Sequence, residues 1–122
     1  MITETNIKHI TTKARDIRIS IIEMLARAKS GHPGGPLGLA DIYAVLYFHS
    51  MNHNPKEPFM SVRDRLVISN GHTCPVLYAA MAHAGYFSVD TLMQLRQFGS
   101  VLQGHPHREF LPSLETSSGP LG

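Results

Sequence analysis

One short run limits the architecture this chain can join. Arg65-Leu66-Val67-Ile68-Ser69 is the only clear strand pattern in 122 residues. Its apolar centre does not alternate with polar residues, which is how a strand covered on both faces reads. Such a strand needs neighbours on both sides to pair its backbone groups. Asn70-Gly71 turns the chain at the strand's carboxyl end, and a helical pattern follows. In open α/β sheets, ligands bind beyond the carboxyl ends of strands, where the chain turns into a helix. One strand cannot make a sheet, so the run reads as the opening of an α/β domain whose other strands are absent here.

The rest reads as helix and loop. Ile7, Ile10, Ala14, Ile17, Ile21, Met24, Leu25 and Ala28 step by three and four, a helix period. Ser30-Gly31 stops this helix, with Lys29 favourable at its negative end. Residues 34–38 read as a loop and residues 39–48 as a second helix, apolar enough to be buried. Residues 52–58 are a loop by composition. A helix is expected over residues 74–83, with Pro75 in its first turn and Gly85 closing it. Ser88 caps a further helix to about Phe98, which Gly99 ends. Residues 100–122 read as irregular. The helices from Leu39 and from Cys74 are expected to lack their usual apolar cover, which favours self-association.

Bulk properties exclude several classes. At 122 residues the chain is one domain or part of one. Its net charge is +2, from 11 basic and 9 acidic residues. It has no basic run interleaved with aromatics, so no nucleic-acid partner is expected. The single Cys74 excludes an intrachain disulfide and a cysteine zinc cluster. The N-terminus has no apolar signal-peptide core, and the apolar stretch of residues 42–48 is too short to span a bilayer. A soluble cytoplasmic protein with no membrane partner is the expectation.

The chemistry-bearing features are histidines on glycine turns: Ser30-Gly31-His32-Pro33-Gly34-Gly35, Ser69-Asn70-Gly71-His72 and Gly104-His105-Pro106-His107. Glycine or proline beside an imidazole places it on a turn, where backbone can approach a ligand. Three such turns point to one pocket. His9, His49, His53 and His83 carry no motif and read as surface or satisfied core. A metal site on His105 and His107 would need two or more further ligands, and no metal ligand is assigned. Cys74, at a helix start, has no catalytic-thiol motif around it and reads as a small buried hydrophobe. Asn70 reads as a left-handed turn residue.

These motifs resemble the N-terminal part of the transketolase family. The matching segments are Ser30-Gly31-His32-Pro33-Gly34-Gly35-Pro36-Leu37-Gly38, Asp64-Arg65-Leu66-Val67-Ile68-Ser69-Asn70-Gly71-His72, Gly104-His105-Pro106 and Gly119-Pro120-Leu121-Gly122. The wording Gly71-His72-Thr73-Cys74-Pro75-Val76-Leu77-Tyr78 is similar to split forms built from two shorter polypeptides. The resemblance implies a thiamine diphosphate-binding α/β fold, a parallel sheet with helices on both faces. Residues 1–122 would be an incomplete N-terminal part of that domain, mostly helical with one strand.

The implied activity is transfer of a two-carbon ketol unit from a ketose phosphate to an aldose phosphate, as part of the pentose phosphate pathway. By resemblance, His32 and His105 face sugar hydroxyls as catalytic groups, since imidazole moves protons near neutral pH. His72, Gly119 and Leu121 contact the cofactor: His72 near its diphosphate, Gly119 by close backbone, Leu121 on its ring. The complete enzyme would use thiamine diphosphate and Mg²⁺. The family's Gly-Asp-Gly metal segment and its activating glutamate are absent from this sequence. The chain alone is therefore expected to be inactive, to bind neither group tightly, and to be a truncated product or a piece completed by a C-terminal transketolase section or second subunit. The alternative is a non-catalytic remnant or interaction module that has lost cofactor binding.

Overall fold

The computed structural model of the chain describes residues 1–111 and 114–121. Helix α1 (Glu4–Ala28) begins on a reciprocal cap: the Asn6 N–H donates to Thr3 Oγ1 at 3.1 Å, and the Thr3 N–H to Asn6 Oδ1 at 3.0 Å. Two of the four unmet amides at a helix start are thereby satisfied. Lys29 ends the helix in the left-handed region (φ 54), its N–H donating to the Leu25 carbonyl at 2.9 Å. Ile10, Ala14, Ile17, Ile21 and Met24 form the buried stripe, as the helix period requires. Ile17, Ile21 and Met24 are fully enclosed, each stabilising the fold by roughly 1.5–3 kcal/mol.

Helix α2 (Gly34–Val45) starts inside the segment expected to be a loop. The Leu37 N–H bonds to the Pro33 carbonyl at 3.0 Å, and Pro36, Ala40, Tyr43 and Ala44 turn inward. Packing of that face overrides the weak helix propensity of Gly34, Gly35 and Gly38. Leu46–Ser50 follow as one wide π-helical turn, closed by the Met51 N–H on the Leu46 carbonyl at 2.9 Å. Helix α2 is less buried than its composition predicts, with Ile42 and Val45 lying on its exposed side. Arg18 of α1 holds Asp41 of α2 through two hydrogen bonds.

Helix α3 (Cys74–Ala84) is the centre of the fold. Every residue from Cys74 to Ala82 is buried, consistent with a helix apolar on all sides. Helices α1 and α2 and a short 3₁₀ helix, Val89–Gln94, pack around it. The expectation that α3 lacks cover is therefore corrected. Ser20 of α1 and His83 Nε2 of α3 lie 2.9 Å apart. Burial and the nearby Lys13 lower the His83 pKa, while Asp16 opposes them.

Two other expectations fail. The helix over residues 88–98 is only the 3₁₀ helix: the Ser88 cap does accept from the Asp90 N–H at 3.3 Å, but Leu95 leaves helical geometry (ψ 128) and Arg96 takes φ 59. Gly99 is left-handed (φ 78) but ends no helix, since the 3₁₀ helix stops at Gln94. The strand does not form, and no strand exists among the described residues. Leu66 and Ile68 pack on the core while Val67 is 61% exposed. A ladder needs a second extended segment, and none of the described residues supplies one. The described part is helices and turns, and the parallel sheet expected from the resemblance is not seen in it. Residues 100–111 and 114–121 are irregular, as expected. Pro112, Ser113 and Gly122, the last residue of the Gly-Pro-Leu-Gly loop, lie outside the described residues.

Candidate functional site

The turn after the failed strand organises the site. Asn70 has φ −79 and ψ 65, and the Gly71 N–H bonds to the Ser69 carbonyl at 2.9 Å. That is an inverse γ-turn, not the left-handed turn expected at Asn70. Gly71–Thr73 then form a 3₁₀ turn that runs into α3. Gly71 is buried, and a Cβ there would overlap Ser118 Oγ and lie 3.3 Å from His105 Cδ2. Glycine is required at this position because two other segments touch its backbone.

Three loops meet around it. The His32 ring packs edge-on against the His72 ring, with centroids 5.2 Å apart. Gly31 sets up that approach at φ 122, where a non-glycine residue is strained. Gly35 completes it, because a Cβ there would lie 2.8 Å from Thr73 Cγ2. The start of α2 thus fits against the turn carrying His72. His105 arrives from the far side, on a loop anchored to α3. The Tyr78 hydroxyl donates to the Gln103 carbonyl at 2.8 Å, and the Cys74 thiol to the Gly104 carbonyl at 3.2 Å. The His32 and His72 rings are thus in contact, and His105 Cδ2 lies beside Gly71, the residue before His72. Burial pushes the Cys74 thiol up to about 12, so it is a packing group rather than a nucleophile.

The C-terminal strap closes the site. The Ser118 N–H bonds to the Pro106 carbonyl at 3.1 Å, and Ser117 Oγ accepts from the Arg108 N–H at 3.0 Å. Upstream, Glu115 accepts from Arg63 Nε and Nη2 at 3.1 and 3.0 Å and from Arg65 Nη1 at 3.2 Å. Gly119 follows Ser118, and a Cβ there would meet nothing within 4 Å. Leu121 is 68% exposed. Two residues that sequence reasoning passed over stand at the centre: Ser118, whose buried Oγ has no hydrogen-bond partner, and Arg96, which lines both the His32–His72 notch and an adjoining cleft beside His105. The positive φ of Arg96 was the one hint, and it is not visible in a sequence. Among the described residues no group of three or more His, Cys, Asp or Glu could hold a metal ion, so the weighed site on His105 and His107 has no ligand set there. No helix among them is long and apolar enough to cross a membrane.

Comparison with known proteins gives the family. Residues 10–122 match the family described as transketolase, thiamine diphosphate binding domain. The chain is similar to the chloroplastic transketolase-1 of Arabidopsis thaliana, with 44% identity over 93% of this chain and 16% of that protein. Among solved structures it is similar to the transketolase of Leishmania mexicana, with a TM-score of 0.87 and 43% identity over 93% of this chain and 17% of that one. The Pichia stipitis transketolase solved in complex with sedoheptulose-7-phosphate matches at a TM-score of 0.87 and 41% identity, over 93% of this chain and 17% of that one. The chain thus spans about one sixth of the length of these relatives. With its histidine loops in the matched region and nearly its whole length inside the family match, the chain belongs to the transketolase thiamine diphosphate-binding-domain family.

Proposed function

We propose that this chain supplies the histidine loops of a transketolase-type enzyme, which passes a two-carbon ketol unit from a ketose phosphate to an aldose phosphate. The observation that carries the reading is the meeting of His32, His72 and His105 around the buried Gly71. Further polypeptide, a C-terminal section or a second subunit, completes the site, and the chain alone has no turnover.

The residues present fit one end of thiamine diphosphate. A diphosphate needs hydrogen-bond donors, and the His72 ring, beside the buried Gly71, offers one. The orphaned Ser118 Oγ against the same glycine offers another donor. Gly119 and Leu121 are assigned to the cofactor's edge, where the exposed Leu121 side chain is free to pack on its ring. When bound, the cofactor supplies the nucleophilic carbon. His32 and His105 hold and move protons at the sugar hydroxyls, each from a turn that leaves its imidazole open to a ligand. His72 orients the anionic end. Mg²⁺, which the reading assigns to the complete enzyme, takes its ligands from outside the described residues.

The test is reconstitution. The chain is co-expressed with the remaining sequence of a transketolase relative and assayed with a ketose phosphate donor and an aldose phosphate acceptor. Turnover should appear only in the complex. His32→Ala or His105→Ala should lower kcat by roughly 10²–10⁴-fold, and His72→Ala should mainly weaken cofactor affinity. His9→Ala and His49→Ala, both exposed and away from the loops, should leave kinetics alone. Turnover by the isolated chain, or equal effects at all five positions, would overturn the assignment.

A further inference from the structure

We infer that Arg96 is a positioning residue that ties the His32 turn to the His105 turn and fixes their separation. The tie stands on contacts within this chain. Its consequence for turnover rests on the transketolase-type reading above.

Arg96 is held at three points. Its backbone N–H donates to the Leu102 carbonyl at 2.9 Å, closing the loop that leads into residues 103–107. Its Nε donates to Ser30 Oγ at 3.0 Å, two residues before His32. Its guanidinium lies against Gly104, directly before His105, where a Cβ would come 2.6 Å from Nη1 and 3.2 Å from Cζ. Arg96 is exposed, so these contacts rather than burial hold it. Each turn is also seated on a helix. A Cβ at Gly31 would come 2.5 Å from Leu25 Cδ2 of α1, and the Gly104 carbonyl accepts from the Cys74 thiol of α3 at 3.2 Å. Arg96 therefore bridges a turn seated on α1 to a turn seated on α3.

The backbone gives a second, independent reason. Arg96 takes φ 59, where a side chain is strained and glycine is at ease. No helix cap accounts for this, because its N–H goes forward to Leu102 and not back to the 3₁₀ helix. A strained residue persists where its surroundings over-determine it, and such residues cluster at functional sites. Glycine would relieve the backbone here but would lose the contacts to Ser30 and Gly104. Proton transfer at hydroxyls of one sugar needs His32 and His105 at a set separation, and a misplacement of about 1 Å costs up to about 10²-fold in rate.

The experiment compares Arg96→Gly, Gly104→Ala and the double variant. Histidine ring resonances and melting temperature are read on the full chain, and kcat and KM on the reconstituted complex. Gly104→Ala keeps the charge of Arg96 and displaces only the end of its flexible side chain, so the fold should survive. It should move the His32 resonance, which lies on the other turn, and should no longer do so once Arg96 is Gly. His9 and His49 should stay in place. Each single variant should lower kcat roughly 10- to 100-fold with little change in KM. The double variant should lose no more than Arg96→Gly alone, because the three atoms nearest a Cβ at Gly104 all belong to Arg96. Relief at φ should keep the melting temperature of Arg96→Gly within about 4 °C of the parent chain.

A His32 resonance that ignores Gly104→Ala, additive losses in the double variant, or a melting temperature that falls in step with kcat would overturn the tie. A raised KM with kcat intact would overturn it too, since Arg96 would then act by touching the ligand. If the parent complex shows no turnover, the transketolase-type reading falls and the resonances alone decide the tie. If turnover is normal and His32 ignores Gly104→Ala, the tie falls alone.

Discussion

Replacing Glu115 by Gln should unfasten the strap that closes the site, at a cost that can be worked from the structure. Glu115 is 13% exposed and its main partner Arg63 is 10% exposed, so solvent screens this pair poorly. Arg63 meets both carboxylate oxygens, at 3.1 and 3.0 Å, while its third nitrogen donates to the Met60 carbonyl at 3.0 Å. Arg65 adds one bond at 3.2 Å from a side chain that is 55% exposed, worth at most about 1 kcal/mol. Breaking a buried pair by removing one charge costs about 3–5 kcal/mol, because the other charge is left uncompensated. The amide keeps one acceptor oxygen and some water reaches the pair, so about 3 kcal/mol is the expected loss. At about 4 °C per kcal/mol for a chain of this size, the melting temperature falls by roughly 12 °C. Circular dichroism at 222 nm during heating reads this directly. Arg63→Met combined with Glu115→Met should cost less than the sum of the single changes, since no stranded charge remains. A fall of under about 3 °C for Glu115→Gln, or strict additivity in the cycle, would show that the carboxylate does not hold the strap.

Three further outcomes follow from individual contacts. Gly71→Ala should cost about 1–3 kcal/mol by overpacking and should perturb the His105 and Ser118 resonances, because its Cβ would strike both segments; unchanged signals there would place the strap elsewhere. Cys74 should resist iodoacetamide at pH 8 in the native chain and react once unfolded; its thiol is raised to about 12, so the stability it contributes is complete below pH 9 and is lost as pH rises from 9 toward 12. Urea midpoints measured across that range check the direction. His83 has the opposite sign: its lowered pKa makes stability present above the ordinary value of 6.5 and lost as pH falls through the folded value. His83→Gln should flatten the acid limb of the stability profile, and an unchanged limb would exclude His83 as its source.

What was legible in the sequence is what neighbouring residues decide. The buried stripe of α1 is a local pattern, and so are the Ser88 cap and the Pro75 and Gly85 boundaries of α3. The start of α2 was hidden for a physical reason. Gly34 and Gly35 have poor helix propensity, and only Thr73, far along the chain, shows why Gly35 must lack a Cβ. The failed strand is the same point reversed. Leu66 and Ile68 do pack on the core, but Val67 faces solvent and no strand forms, because a strand is defined by its partner.

The site divides along the same line. Glycine beside histidine advertised His32, His72 and His105, because a turn that brings backbone to a ligand needs that residue locally. Arg96 and Glu115 advertised nothing. Arg96 meets Ser30 across 66 positions, and Glu115 meets Arg63 across 52. A lone Arg after a 3₁₀ helix and a lone Glu in a loop look like solvated surface until the chain is folded. The histidine turns were therefore legible, while the residues that hold the loops in register were not. Gly119 and Leu121 stand apart in the same way, since Gly119 has open space around it. The Leu121 motif is local and readable, but no described contact fixes its side chain, and 68% of it faces solvent.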